Sequence, residues 1–156
     1  MLRLPIVPVL DRRHDAPDAL APHPAVPASP RDDLRDENLH SLLVDFYSVL
    51  AADALLARYF ASLDMPAHLP RIVDFWSTLL FQTGRYSGNA FRPHLDMPGL
   101  TGERFSRWLA TLETTVDASY AGPNVERMKA LARRIAYSMQ VRLGIAPAAE
   151  DRPSRL

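Results

Sequence analysis

Between residues 39 and 139 the apolar side chains recur at steps of three and four, and over no useful length at steps of two. Leu39, Leu42, Leu43, Phe46 and Leu50 make a first stripe, and Leu55, Leu56, Tyr59 and Phe60 a shorter piece. Leu69, Ile72, Phe75, Trp76, Leu79 and Leu80 make a third. Phe105, Trp108, Leu109, Leu112 and Val116 make a fourth, and Val125, Met128, Leu131, Ala132, Ile135 and Met139 a fifth. This period belongs to helices that bury one face. The spacing therefore predicts an all-α fold without internal repeat.

The punctuation agrees with that reading. Gly84 is placed to end the third helix, and the fourth stops before Gly122-Pro123. Pro123 falls near the first turn of the fifth helix, where a missing N–H is harmless. Gly144 follows the last stripe, with Pro147 beyond it, as a helix stop. Before the helices, Pro5, Pro8, Pro17, Pro22, Pro24, Pro27 and Pro30 forbid a continuous helix. Residues 1–30 read as a flexible Pro-rich tail, 31–144 as one folded domain, and 145–156 as a second tail.

Composition narrows the class. At 47% hydrophobic residues, 156 residues are enough for one core. With no cysteine, disulfides and thiolate metal sites are excluded, which fits a reducing compartment. Lys+Arg and Asp+Glu are equal at 18, so the basic excess of a nucleic-acid binder is missing. No apolar run is long enough to span a bilayer, and prolines break the only apolar stretch near the N-terminus. The expectation is a soluble cytoplasmic protein that binds neither nucleic acid nor membrane, as a monomer or weak dimer.

One segment does not suit a simple helical bundle. Residues 84–100 join the third and fourth helices through 17 residues with little helical pattern, and long loops inside compact domains are often functional. This one carries a single histidine, His94, directly after Pro93, among the apolar residues Phe91, Leu95 and Met97. Three side chains on the helical stripes also stand out. Tyr47 lies four after Leu43, His68 four before Ile72, and Trp108 three after Phe105. Each carries a donor that needs a partner if buried. Taken singly, each has an ordinary reading: a core tyrosine with a wet hydroxyl, a surface or capping histidine, a core tryptophan, a solvated loop histidine.

Taken in order, they resemble the truncated haemoglobins, and within them group III. "DFYSVL" carries Tyr47 at the family's distal tyrosine position. "ARYF" ends in Phe60, where the family wedges a phenylalanine against haem. "HLPRIVDFWSTLL" carries His68 at the distal E-helix position and Ile72 one turn on. "YSGNAFRPHLDMPGL" carries His94 at the proximal, iron-binding position, and "FSRWLATLE" carries Trp108 at the distal G-helix position. The likeness spans about residues 35–142, and the double-glycine motifs of groups I and II are not visible.

The resemblance implies a globin-like, two-over-two helical sandwich holding haem b, with His94 as the axial imidazole. Pro93 would fix the backbone beside it and restrict Arg92, while Gly88 and Asn89 allow the turn before it. Phe60, Ile72, Phe91 and Tyr86 would contact the porphyrin; Tyr47 and Trp108 would donate to a bound ligand, and His68 would donate to it, swing out as a gate or line the entrance. Arg71, Arg85 and Arg92 are candidates for the haem carboxylates. The implied function is reversible binding of dioxygen and other diatomics, as in oxygen transport. Redox activity toward oxygen, nitric oxide or peroxide would call for a separate reductase, because the chain has no room for a flavin or nicotinamide domain. Two alternatives remain: a haem-based sensor or partner-binding module using residues 1–30, and a haem-free helical interaction domain.

Overall fold

The computed structural model describes residues 32–147 and residue 152, and is helical, with no strand among the described residues. Helix α1 spans Leu39–Ala52, α2 Met65–Phe81, α3 Gly102–Ser119 and α4 Pro123–Arg142. Helix α1 packs on α2 and α3, while α4 packs on α3 and α2. One pair, α1 and α2, thus lies over the other, α3 and α4, in the two-over-two arrangement of a truncated globin. The expected tail 1–30 lies outside the described residues, as does any contact it makes. Most of the expected tail 145–156 does too, but Ile145 packs against the core.

The core is the sum of the stripes. Leu39, Leu42, Leu43, Phe46 and Leu50 are all buried in α1, and Phe105, Leu109, Leu112 and Val116 in α3. Leu34, just before α1, is fully buried as well. The shorter piece is not an α-helix but a 3-10 helix, Ala57–Tyr59, between α1 and α2.

The helix ends fix how the elements meet. Asp64 caps α2 by accepting a hydrogen bond from the Ala67 amide at 3.1 Å. Thr101 caps α3 through the Arg104 amide. Helix α4 has no side-chain bond from its own N-cap, Gly122. Asp33 does that work from the other end of the domain, accepting from the amides of Asn124 at 3.0 Å and Val125 at 3.2 Å. A Cβ on Gly122 would come within 2.5 Å of the Asp33 carboxyl carbon, and its φ of 148° is one few side chains tolerate.

At its far end α4 closes as the sequence predicts. Gly144 has φ 72°, its amide bonds the Val141 carbonyl, and the Ile145 amide bonds the Gln140 carbonyl at 2.8 Å. Helix α2 ends earlier than expected. The C-cap is Gln82, left-handed at φ 57°, two positions before Gly84, which is left-handed too at φ 69°. The chain then folds back over the last turn of α2. Thr83 bonds Ser77, the Tyr86 amide bonds Thr78, and Arg85 bonds Ser77 at 2.6 Å. These polar partners on α2 end the helix before the glycine is reached.

Candidate functional site

The segment after α2 is where the site is built. Asn89 accepts hydrogen bonds from the amides of Phe91 and Arg92 at 3.0 and 3.3 Å, a side-chain-closed turn. The turn feeds a 3-10 helix, Arg92–Asp96, with Pro93 in its first turn. The long loop is thus partly helical. Arg92 lies inside that helix, so the expected restraint from Pro93 does not keep it extended.

His94 sits in the middle of this 3-10 helix. Its Nδ1 lies 2.9 Å from the Ala90 carbonyl. A carbonyl only accepts, so Nδ1 carries the proton and the lone pair is left on Nε2. Burial lowers the His94 pKa, outweighing its backbone hydrogen bonds to Ala90 and Phe91, and so favours the neutral ring. A neutral imidazole with its second nitrogen held by a carbonyl is the usual form of a metal-ligating histidine.

His94 lines a cavity of about 280 Å³ between the two helix layers. Helix α1 brings Tyr47 to it, and the residue closing the 3-10 helix Ala57–Tyr59 brings Phe60. Helix α2 brings His68 and Ile72, the fold-back brings Tyr86, and α3 brings Trp108. Most other wall residues are apolar, among them Phe105, Ile135 and Met139, and the exposed residues Leu63, Arg71 and Pro93 rim it. The position of each donor follows from ring packing. Tyr47 lies edge-to-face on Phe46 and Phe60, at 5.0 and 5.7 Å, and Trp108 edge-to-face on Phe46 at 5.8 Å.

Burial raises the pKa of the Tyr47 phenol far above its usual value, so it remains a donor. No hydrogen bond to the Tyr47 hydroxyl, the Trp108 indole or the His68 ring occurs among the described residues, although all three line one apolar space. Their donors face the cavity and are open to an acceptor held there. The same residues hold no cluster of three His, Cys, Asp or Glu side chains fit for a bare metal ion. One free imidazole nitrogen in an apolar slot suits an iron that brings its other ligands with it, as haem does. The residues fit the group.

Phe91 is not in this cavity. The Asn89 turn directs it toward α4, where the Arg142 guanidinium lies 3.8 Å from its ring centre. Arg85 is outside as well. It pairs with Asp36 at 2.8 Å and Asp74 at 3.2 Å, tying α2 to the segment before α1. Arg92 does not line the cavity either, and of the three expected arginines only Arg71 does. Arg104 lines it without having been expected to. It bonds the carbonyls of Leu55 and Gly99, at 3.3 and 2.6 Å, which anchors α3 to the loops on either side. Its signal was present, since it lies four residues before Trp108 and shares that helix face.

No family model matches the chain. A group 3 truncated hemoglobin of Campylobacter jejuni is 27% identical over 93 residues, covering 56% of this chain and 73% of that protein. The crystal structure of a group III truncated hemoglobin from Campylobacter jejuni superposes with a TM-score of 0.64 at 27% identity, covering 70% of this chain and 91% of that one.

Proposed function

We infer that this chain, a relative of the group III truncated haemoglobins in sequence and fold, is a globin-type haem protein that takes diatomic ligands in the cavity of His94 and Tyr47. The observation that carries the reading is one largely apolar cavity with two kinds of polar group turned into it. These are an imidazole Nε2 with its lone pair free, and phenol and indole donors that face the cavity.

Haem b, when bound, supplies an iron with a coordination position open to dioxygen, nitric oxide or carbon monoxide. The chain's residues divide the remaining work. His94 would hold the iron through Nε2, and the Ala90 carbonyl fixes the ring's tautomer and orientation. Phe60, Ile72 and Tyr86, which line the cavity, would pack on the porphyrin. Arg71, at the exposed rim, would meet a haem carboxylate, and Arg104 adds positive charge to the cavity wall. Tyr47 and Trp108 donate hydrogen bonds to a polarised diatomic ligand, and His68 lines the same space. Donors held in a largely apolar cavity also favour charge development on oxygen or peroxide, so redox turnover with a separate electron donor belongs to the same reading.

Absorption spectra of the purified protein and of His94→Ala test this, each ferric and then dithionite-reduced under carbon monoxide. A Soret band that shifts with carbon monoxide, and is lost or altered in the variant, is expected. A protein that stays colourless after incubation with hemin sinks the haem reading and leaves a helical interaction domain. The sensor alternative rests on residues 1–30, outside the described residues, and no observation favours it.

A further inference from the structure

A second groove, of about 480 Å³, lies on the far side of the His94 loop, between the end of α2, residues 86–91 and the face of α4. Its floor is apolar, formed by Phe75, Leu79, Leu131, Ile135 and Met139, each only half-buried although each belongs to a core stripe. Its charges have one sign. Arg134 and Arg142 line it, and no Asp or Glu does. Neither arginine has an ion-pair partner among the described residues. Arg142 is oriented nonetheless: its guanidinium stacks on Phe91 at 3.8 Å, which leaves its N–H edge available to an acceptor. Residues Leu131, Arg134, Ile135, Ser138, Met139 and Arg142 follow one another at helical spacing, so one face of α4 carries both the apolar track and the cations. Arg134 and Arg142 are eight residues apart along it, on the order of 12 Å at the rise of an α-helix.

We propose that this groove is a second binding site, for a small amphipathic carboxylate whose hydrocarbon chain lies on the α4 track and whose head group pairs with Arg142. A linear apolar chain of medium length matches the track, and a carboxylate matches the planar fork of a stacked guanidinium. The groove also shares walls with the haem cavity. Phe75, Tyr86, Ala90, Ile135 and Met139 line both. Ala90 is the residue whose carbonyl holds His94 Nδ1. An occupant pressing on residues 88–91 therefore bears on the bond that orients His94. This coupling, unlike the binding itself, rests on the haem reading of the first cavity.

Calorimetric titration of the full-length protein with decanoate tests the site. Saturable binding at one site is expected, weakened by about tenfold in Arg142→Gln, as for loss of a charge-assisted pair. Arg127→Gln, an exposed change on α4 away from the groove, leaves it unaltered. Ser138→Trp fills the groove from an exposed position and abolishes binding while leaving helical circular dichroism unchanged. Decanol, which lacks the charge, binds more weakly than decanoate to the wild type and equally to the wild type and Arg142→Gln. In haem-loaded protein, decanoate alters the rate of carbon monoxide rebinding. Absence of binding, binding indifferent to Arg142→Gln and Ser138→Trp, or displacement of haem by decanoate would each overturn the site. If the protein takes up no haem, the calorimetry still decides the site, and only the coupling falls with the haem reading.

Discussion

Tyr47 and His94 show how far single side chains set this molecule's chemistry. The Tyr47 phenol is buried between two rings and keeps its proton. A buried hydrogen bond to a charge-bearing acceptor is worth about 1.5–3 kcal/mol, roughly one to two decades in rate. Tyr47→Phe keeps the ring packing and removes only the donor. Dioxygen release from the reduced protein, followed by stopped flow, is expected to quicken by about one to two decades. A rate unchanged in Tyr47→Phe and in Trp108→Phe would remove both from ligand binding. His94 carries a pH signature as well. Burial lowers its pKa below the ordinary 6.5. Above pH 6.5 both folded and unfolded chains hold it neutral, and it contributes no pH dependence. Below that, the unfolded chain takes up a proton that the folded chain resists. The stability of the haem-free protein should therefore fall as pH drops from 6.5 toward the lower folded value, and His94→Ala should lose that part of the slope. Urea unfolding of both forms across pH 5 to 8 measures it, and parallel slopes in the two would count against a buried neutral ring.

Among the elements, α4 depends most on residues remote from it. Its first turn is capped by Asp33, 91 residues from Asn124 in sequence. Removing a capping carboxylate typically costs about 0.5–2 kcal/mol, and Asp33→Ala leaves two α4 amides without their partner, so the upper part of that range is expected. Chemical denaturation should show the loss as a lower midpoint with an unchanged slope. Leu112→Ala, in the fully buried centre of α3, should cost more, about 2–5 kcal/mol, because it leaves a cavity. A ranking in the opposite order would mean that the domain is held more by its caps than by its core. The contrast also shows what the sequence made legible. Helical stripes are local and repeat, so α1 to α4 could be read from spacing, as could the glycine stop at Gly144. The Asp33 cap joins residues with no shared period and left no local trace. The early end of α2 at Gln82 was hidden for a related reason: its cause is the polar fold-back of Thr83 and Arg85 onto Ser77.

At the scale of the whole molecule, the cavity was partly legible for the same reason as the core. Tyr47, Ile72 and Trp108 share helix faces with buried neighbours, so the packing that buries one brings the others to a common space. The irregular segment obeyed no such rule, and there Phe91, expected beside the porphyrin, lines the α4 groove instead of the His94 cavity. The domain boundary can be argued from the same packing. Leu34 is fully buried and Asp33 caps α4, so the folded unit needs residues 33 and 34. At the other end Ile145 packs on the core and its amide closes α4. We therefore propose that residues 32–147 fold alone. A chain starting at residue 32 should unfold at the same midpoint as the full-length protein and take up hemin equally. One starting at residue 35 loses the cap and a buried leucine together, two contributions of about 0.5–2 and 2–5 kcal/mol. Set against a typical domain stability of about 5–15 kcal/mol, that loss should be visible as a large fall in midpoint or as failure to fold. A lower midpoint already at residue 32 would extend the folded unit into residues 1–31 and reopen their part in function.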